Sequence, residues 1–280
     1  MPLKPYSAWI RWPAITAGHG VLVALSSKLE WILPWWWHFY ASHNSYPVTF
    51  VDFGLSKKAQ KWCREKGSLV RLKSIAPFMT AEKLIDQNLM QDWRKWYGAF
   101  KPQMRKCWFQ KPLAMLQSPY QKTLWLDIDC QIRGPLEPLF QALENFEIAC
   151  MPEDAASQKI HRRFKLTQKD QLLYNSGVVA YIHGSKTIEA WAKAVPKNNH
   201  LFFGDQDLFS EIVYQNQTPV HNLPPTYNAL LPNGFKPQDL IRHYMGSEGK
   251  QQIGEMTRKL HDLAFCHDFH TFFQIQKSGV

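Results

Sequence analysis

Short apolar runs alternate with polar, helix-patterned stretches along most of the chain. Gly18-His19-Gly20-Val21-Leu22-Val23-Ala24-Leu25 predicts a first buried strand, residues 46–53 a second and residues 68–72 a third. Runs this short, rich in bulky apolar residues and bounded by turn residues, read as strands. Between them, residues 29–43 and 57–66 read as helices, with Ser27 and Ser56 as caps and Pro34 kinking or breaking the first. Residues 80–118 are mostly helical by pattern. Strands at 123–128, 146–151 and 174–182 follow, with helices entered at 136–140, over 185–196 and from 204, and a short last strand at 241–246. Strands separated by helices at this spacing predict βαβ units and a parallel sheet. Residues 153–172 are polar and weakly patterned and predict a loop or lid over the ligand. Residues 223–228 read as a rigid extended piece, 1–17 as an N-terminal arm, and 251–280 as a C-terminal helical tail.

The strand ending Leu124-Trp125-Leu126-Asp127-Ile128-Asp129 carries the first chemistry. Residues i and i+2 of a strand share a face. Asp127 and Asp129 would therefore leave the core side by side at the carboxyl edge, where open α/β sheets bind ligands. Two carboxylates so close repel unless a positive charge lies between them. A hard divalent cation, which can bridge onward to a diphosphate, answers that need. Read alone, the same residues are also a solvated turn.

Composition narrows the class. Hydrophobic residues make up 45% of the chain and aromatic ones 14%, enough for a packed core and too much for disorder. Trp31 to Tyr40 is dense in tryptophan but too short and interrupted for a membrane span, and reads as core or interface. No signal peptide is legible, so the expected location is cytoplasmic, peripheral to a membrane if the basic surface is used there. The five cysteines are scattered, without a C-x-x-C, and read as reduced thiols. A net charge of +10 points to an anionic partner. No nucleic-acid-binding motif accompanies it, so a phosphate-rich small ligand or an anionic membrane surface is expected and nucleic acid is not.

Three later stretches add polar groups to strand and helix ends. Asn175 and Gly177 open a strand, Gly177 allowing close backbone approach to a ligand. Asp205 and Asp207 lie at the positive end of a helix, where Asp205 is in the plainest reading an N-cap. His243 and Gly246 end the last strand, and Lys250 follows.

In that order these pieces resemble glycosyltransferase family 8, retaining sugar-nucleotide transferases that include glycogenin and bacterial lipopolysaccharide galactosyl- and glucosyltransferases. The resemblance spans about residues 18–250 and rests on five short motifs: the helical Lys111, the D-x-D of Asp127 and Asp129, Asn175-Ser176-Gly177, Asp205-Gln206, and His243 with Gly246. One departure is visible. The family's lysine three residues after the glycine is absent, position 249 is glycine, and the lysine is Lys250.

The resemblance implies a GT-A (nucleotide-diphospho-sugar transferase) fold, a Rossmann-like mixed α/β sheet flanked by helices, over 18–250. It implies Mn²⁺, or Mg²⁺, held by Asp127, Asp129 and His243, and a UDP-sugar donor with a glucose- or galactose-type hexose. The acceptor would be a glycan, a lipid-linked sugar or a protein. Gly246 and Lys250 would face the diphosphate, Lys111, Asn175 and Asp205 the sugar, and Gln206 the reacting face. Two other readings of the same residues exist. One is a D-x-D phosphatase, whose motif normally lies on the first strand. The other is a binding protein that keeps the fold without catalysis.

Overall fold

The computed structural model describes residues 11–72, 78–97, 102–164 and 166–262. A seven-stranded sheet forms the centre. β1 (Ala17–Leu25), β2 (Val48–Asp52), β3 (Ser68–Arg71) and β4 (Tyr120–Leu126) run parallel, in the order β3-β2-β1-β4. β7 (Tyr174–Ile182) pairs antiparallel with β4 and with β6 (Ile148–Pro152), and β8 (His221–Asn222) closes that side. The sheet is thus mixed, not purely parallel. Helices cover both faces: α1 (Leu33–Ala41), α2 (Lys57–Lys66), α3 (Gln87–Tyr97), α4 (Pro102–Met115), α5 (Glu137–Gln141), α6 (Ala155–Arg163), α7 (Lys186–Asn198), α8 (Asp205–Gln215) and α9 (Gly246–Asp262).

Burial on both faces explains the unbroken apolar runs. Leu124 and Leu126 point into one core with Trp35, Trp36 and Phe50. Trp125 points into the other with Phe109, Val179 and Trp191. The first helix is broken at Pro34 rather than kinked. A 3-10 turn, Glu30–Ile32, precedes it, and Pro34 lies in the first turn of α1, where its missing N–H leaves no bond unmade. The aromatic run is core. Trp35 and Trp36 are wholly buried, and Trp36 stacks on Tyr40 at 5.0 Å and meets Phe50 edge-on. Trp36→Ala is expected to cost about 3 kcal/mol of stability through the cavity it leaves. Thermal melting checks this, and an unchanged melting temperature would make the stretch a contact surface instead.

A second sheet positions the chemistry. β5 (Cys130–Ile132) pairs antiparallel with β10 (Ile241–His243), and β10 pairs parallel with β9 (Ala229–Leu230). In this register His243 lies opposite Cys130, and the amide of Tyr244 donates to the carbonyl of Asp129 at 3.0 Å. The last strand is therefore laced to the D-x-D turn. Among the described residues no helix is long and apolar enough to cross a membrane.

Two boundaries differ from expectation. α9 begins at Gly246 and runs through the expected domain limit at 250, so Lys250 stands on a helix rather than in a loop. Residues 155–163, expected within a loop, form α6, capped by the Asp154 carboxylate on the Ser157 amide at 2.8 Å. The helix lacks apolar periodicity because its buried residues are polar, Gln158 and His161. Gln158 donates to the carbonyl of Leu173 at 2.8 Å and accepts from its amide at 3.0 Å. Residues 1–10 of the arm and 263–280 of the tail lie outside the described residues.

Candidate functional site

The site lies at the carboxyl end of β4, beside β1. Past Leu126 the chain turns, with the amide of Cys130 donating to the carbonyl of Asp127 at 3.0 Å. The amide of Asp127 donates to the carbonyl of Gly177 at 2.8 Å, and its carboxylate accepts from the indole of Trp125 at 2.8 Å. Asp127 thus follows Trp125 by strand alternation, and the turn from Asp127 to Cys130 brings Asp129 round to His243.

The structure brings nearly all the sequence-named residues together. His243 Nε2 lies 3.4 Å from Asp129 Oδ1 and 3.9 Å from Asp127 Oδ2. Lys250, from the first turns of α9, pairs with the other oxygen of Asp129. The shifted lysine is explained by Gly249. A Cβ there would lie 2.0 Å from the carbonyl oxygen of Tyr244, so position 249 accepts only glycine and Lys250 makes the reach. Gly246 starts this helix with φ +77°, in the left-handed region that favours glycine.

Lys111, buried on α4, bridges two acids. Its Nζ lies 3.1 Å from Asp127 and 3.1 Å from Asp205, and donates to the hydroxyl of Ser176 at 2.9 Å. An ammonium has three N–H groups, so all three already face protein acceptors. In this arrangement Lys111 ties α4, β4, β7 and α8 together. Burial opposes its charge, yet Asp127 and then Asp205 raise its pKa above the ordinary lysine value. Asp205 is pushed up by burial and by Asp127, against the pull of Lys111. Asp129 is buried too, but Lys250 holds it well below the usual carboxylate range.

Asp205 is not the N-cap. That place is Gly204, whose amide donates to Asp207 at 3.0 Å, and Asp205 is left to accept from Ser176 Oγ at 2.9 Å. Gly177 makes room for the His243 ring, since a Cβ there would lie 2.2 Å from His243 Cε1. Asn175 accepts from the Gly177 amide at 2.9 Å and donates to Glu153 at 2.8 Å. Gln206 donates to the same Glu153 oxygen at 3.3 Å.

Three participants escaped sequence reading. Glu153 sits just past the end of β6, Ser176 was a spacer within its motif, and Asn228 was the last residue of the proline-rich piece. Only an isolated polar residue in the apolar run of 227–231 marked Asn228.

The donor set fits a divalent cation. His243 Nε2 faces one oxygen of Asp129 and one of Asp127, a mixed oxygen and nitrogen set that suits Mn²⁺ better than the all-oxygen sites typical of Mg²⁺. The ligand atoms within 4.8 Å of one another, however, are those of Asp129, Cys130 and His243, without Asp127. The Cys130 S–H points to the carbonyl of Gly177 at 3.9 Å, and burial pushes the thiol well above its ordinary range.

α6 docks beside this site through His161, whose Nε2 lies 3.5 Å from Asp207 on α8. Burial lowers the imidazole pKa, but the bond and charge of Asp207 outweigh it and the net shift is upward. A raised folded-state pKa gives stability that is full below the unfolded value of about 6.5 and is lost as pH rises through the folded value. Amide exchange in α6 is therefore expected to quicken as pH rises across that window, after correction for intrinsic rates. His161→Gln should flatten the profile, and an equally steep variant would contradict the pairing.

No family model and no curated protein matches this sequence. The fold does have solved counterparts. The galactosyltransferase LgtC, crystallised with donor and acceptor sugar analogues, superposes with TM-score 0.54 at 12% identity, over 84% of this chain and 94% of that one. An active-site mutant of LgtC, with glutamate in place of a glutamine, gives TM-score 0.56 at 12% identity over 86% and 95%. The bifunctional glycosyltransferase WbbM gives 0.53 at 13% identity, over 84% of this chain and 47% of that one. The fold is the GT-A fold, as the motifs implied.

Proposed function

We propose that this protein is a metal-dependent, retaining glycosyltransferase of the family 8 type, moving a glucose- or galactose-type hexose from a UDP-sugar to a glycan, lipid-linked or protein acceptor. The observation that carries this reading is the convergence of Asp127, Asp129 and His243 Nε2, from two separate sheets, at the carboxyl edge of a GT-A fold. LgtC, of the same fold, was crystallised with donor and acceptor sugar analogues. With a net charge of +10, a cytoplasmic protein peripheral to an anionic membrane surface is the setting we favour.

Asp127, Asp129 and His243 would hold Mn²⁺ or Mg²⁺, which when bound supplies Lewis-acid neutralisation of the departing diphosphate. Lys250 is paired with Asp129 and a quarter exposed at its side chain, at 28%, so it can exchange that carboxylate for a phosphate oxygen. The amide of Gly246 is the second diphosphate donor. Asp205 and Asn175 border the sugar, their orientation fixed by Ser176 and by Glu153 and Gly177.

The reaction breaks the bond from the anomeric carbon to the diphosphate and forms one from that carbon to the acceptor oxygen. The acceptor's proton passes to the departing diphosphate. Asp205 is a poor nucleophile here, because Lys111 and Ser176 already occupy its carboxylate. Gln206, an amide, is poorer still. Attack by the acceptor from the leaving-group face, with no enzyme-linked sugar, follows. Gln206 then orients the reacting face from its place on Glu153, and a glutamine is the residue altered in the active-site mutant of LgtC.

A screen of sugar nucleotides with Mn²⁺ tests the class. A transferase releases nucleoside diphosphate, a D-x-D phosphatase releases inorganic phosphate, and a binding protein releases neither. NMR of the first-formed glycoside tests the stereochemistry, with retention of anomeric configuration expected. An inverted product would remove the chain from the family 8 type.

A further inference from the structure

We propose that Asn228 is a positioning residue that fixes the tautomer of His243, so that Nε2 presents a bare lone pair to a divalent cation. The proposal deepens the metal-dependent reading above and rests on it. It follows from one group whose polarity is beyond doubt, the backbone amide of Gly177, which can only donate. It donates at 2.9 Å to the side chain of Asn175, so the atom facing it is Oδ1. The same Oδ1 lies 2.9 Å from the side chain of Asn228, which must therefore present its NH₂. The other end of Asn228, its Oδ1, then faces His243 Nδ1 at 3.1 Å. An amide oxygen only accepts, so Nδ1 carries the proton and the neutral ring leaves Nε2 without one.

The ring has little freedom to escape this assignment. Asn228 is fully buried, and Asn175 and His243 are nearly so. Asn228 directly precedes β9, whose Leu230 is paired with His243 on β10, so backbone register sets the two side chains beside each other. The imidazole lies over Gly177, where even a methyl group would collide with it. Turning the ring over would put the carbon Cδ2 against the buried Asn228 oxygen and take the Nδ1–H donor away from it. At the other edge, Nε2 faces oxygens of Asp129 and Asp127. In the Nδ1–H tautomer Nε2 and the two facing carboxylate oxygens are all lone-pair donors, while Lys250 and Lys111 pair the same carboxylates from other sides. The Nε2–H tautomer would instead donate to Asp129 and close the site. The relay also reaches the acceptor side, because Asn175 and Gln206 share one oxygen of Glu153.

The test uses the full chain with isotope-labelled histidine, in buffer well above the ordinary imidazole pKa of about 6.5. NMR reads the His243 tautomer, and titration with Mn²⁺ alone, followed by the EPR signal of the free ion, reads affinity without turnover. Wild type should show Nδ1–H. Asn228→Leu should lose the fixed tautomer and bind Mn²⁺ about 10–100-fold more weakly. Asn228→Asp keeps an acceptor for Nδ1–H but gives up the NH₂ that meets Asn175 Oδ1, so it should keep the Nδ1–H tautomer while losing stability, which a merely structural role would not explain. A wild-type His243 in the Nε2–H form overturns the proposal, as does a folded Asn228→Leu with wild-type affinity. If Asn228→Leu fails to fold, the wild-type tautomer and that of Asn228→Asp decide. Wild type with Nδ1–H but no Mn²⁺ binding contradicts the metal-dependent reading and leaves the tautomer assignment standing.

Discussion

Asp129→Asn is expected to lower the rate of sugar transfer by about 10²–10³-fold, the loss that follows removal of a principal charge stabiliser. The substitution keeps the shape of a side chain that is buried, ion-paired to Lys250 and next to His243. It removes one negative charge from the three-residue donor set. Lys250, partly exposed, can turn to water, so the fold should survive. Turnover at saturating donor and Mn²⁺ checks this. A variant with full activity, indifferent to a chelator, would remove the metal-dependent reading.

Lys111→Met acts on the fold itself. Methionine has nearly the length of lysine and none of its charge. Asp127 and Asp205 would face each other across a buried space that one ammonium now bridges at 3.1 Å to each. The Ser176 carbonyl, which accepts from the same nitrogen at 3.1 Å, would lose its partner. Breaking a buried pair in this way costs about 3–5 kcal/mol, because it leaves uncompensated charge behind. Urea unfolding measures it. Adding Asp205→Asn to Lys111→Met should return part of the loss, since a neutral amide no longer opposes Asp127. A loss below about 1 kcal/mol would mean that Lys111 is not the electrostatic tie described.

The strands around the site were legible because burial on both faces leaves unbroken apolar runs, as in Leu124-Trp125-Leu126. The D-x-D place at the strand's carboxyl edge was legible for the same reason, but a turn from Asp127 to Cys130, not alternation, sets Asp129. α6 was not, because its buried contacts are made by Gln158 and His161, and a helix that buries polar side chains shows no apolar period. The cap at Asp205 was misread because Asp205 and Asp207 are equally plausible in sequence. Only the bond from Gly204 to Asp207 separates them. The one-residue shift to Lys250 has its cause in the Tyr244 carbonyl that crowds Gly249, a contact no sequence pattern announces. Asn228 and Glu153 gain their roles only once β9 lies beside β10 and Asn175 meets them both. These are long-range events, and local propensity carries no record of them.

The central claim is that Asp127, Asp129 and His243 together hold a divalent cation on which a nucleoside diphosphate rests. The most direct measurement is a crystal of the protein grown with Mn²⁺ and UDP, with data collected at the manganese absorption edge. The account predicts one anomalous peak within about 2.0–2.3 Å of both carboxylates and of His243 Nε2, the distances usual for such ligands. Lys250 should have moved from Asp129 to a phosphate oxygen. UDP bound with no anomalous peak there, or with manganese held elsewhere, would contradict it.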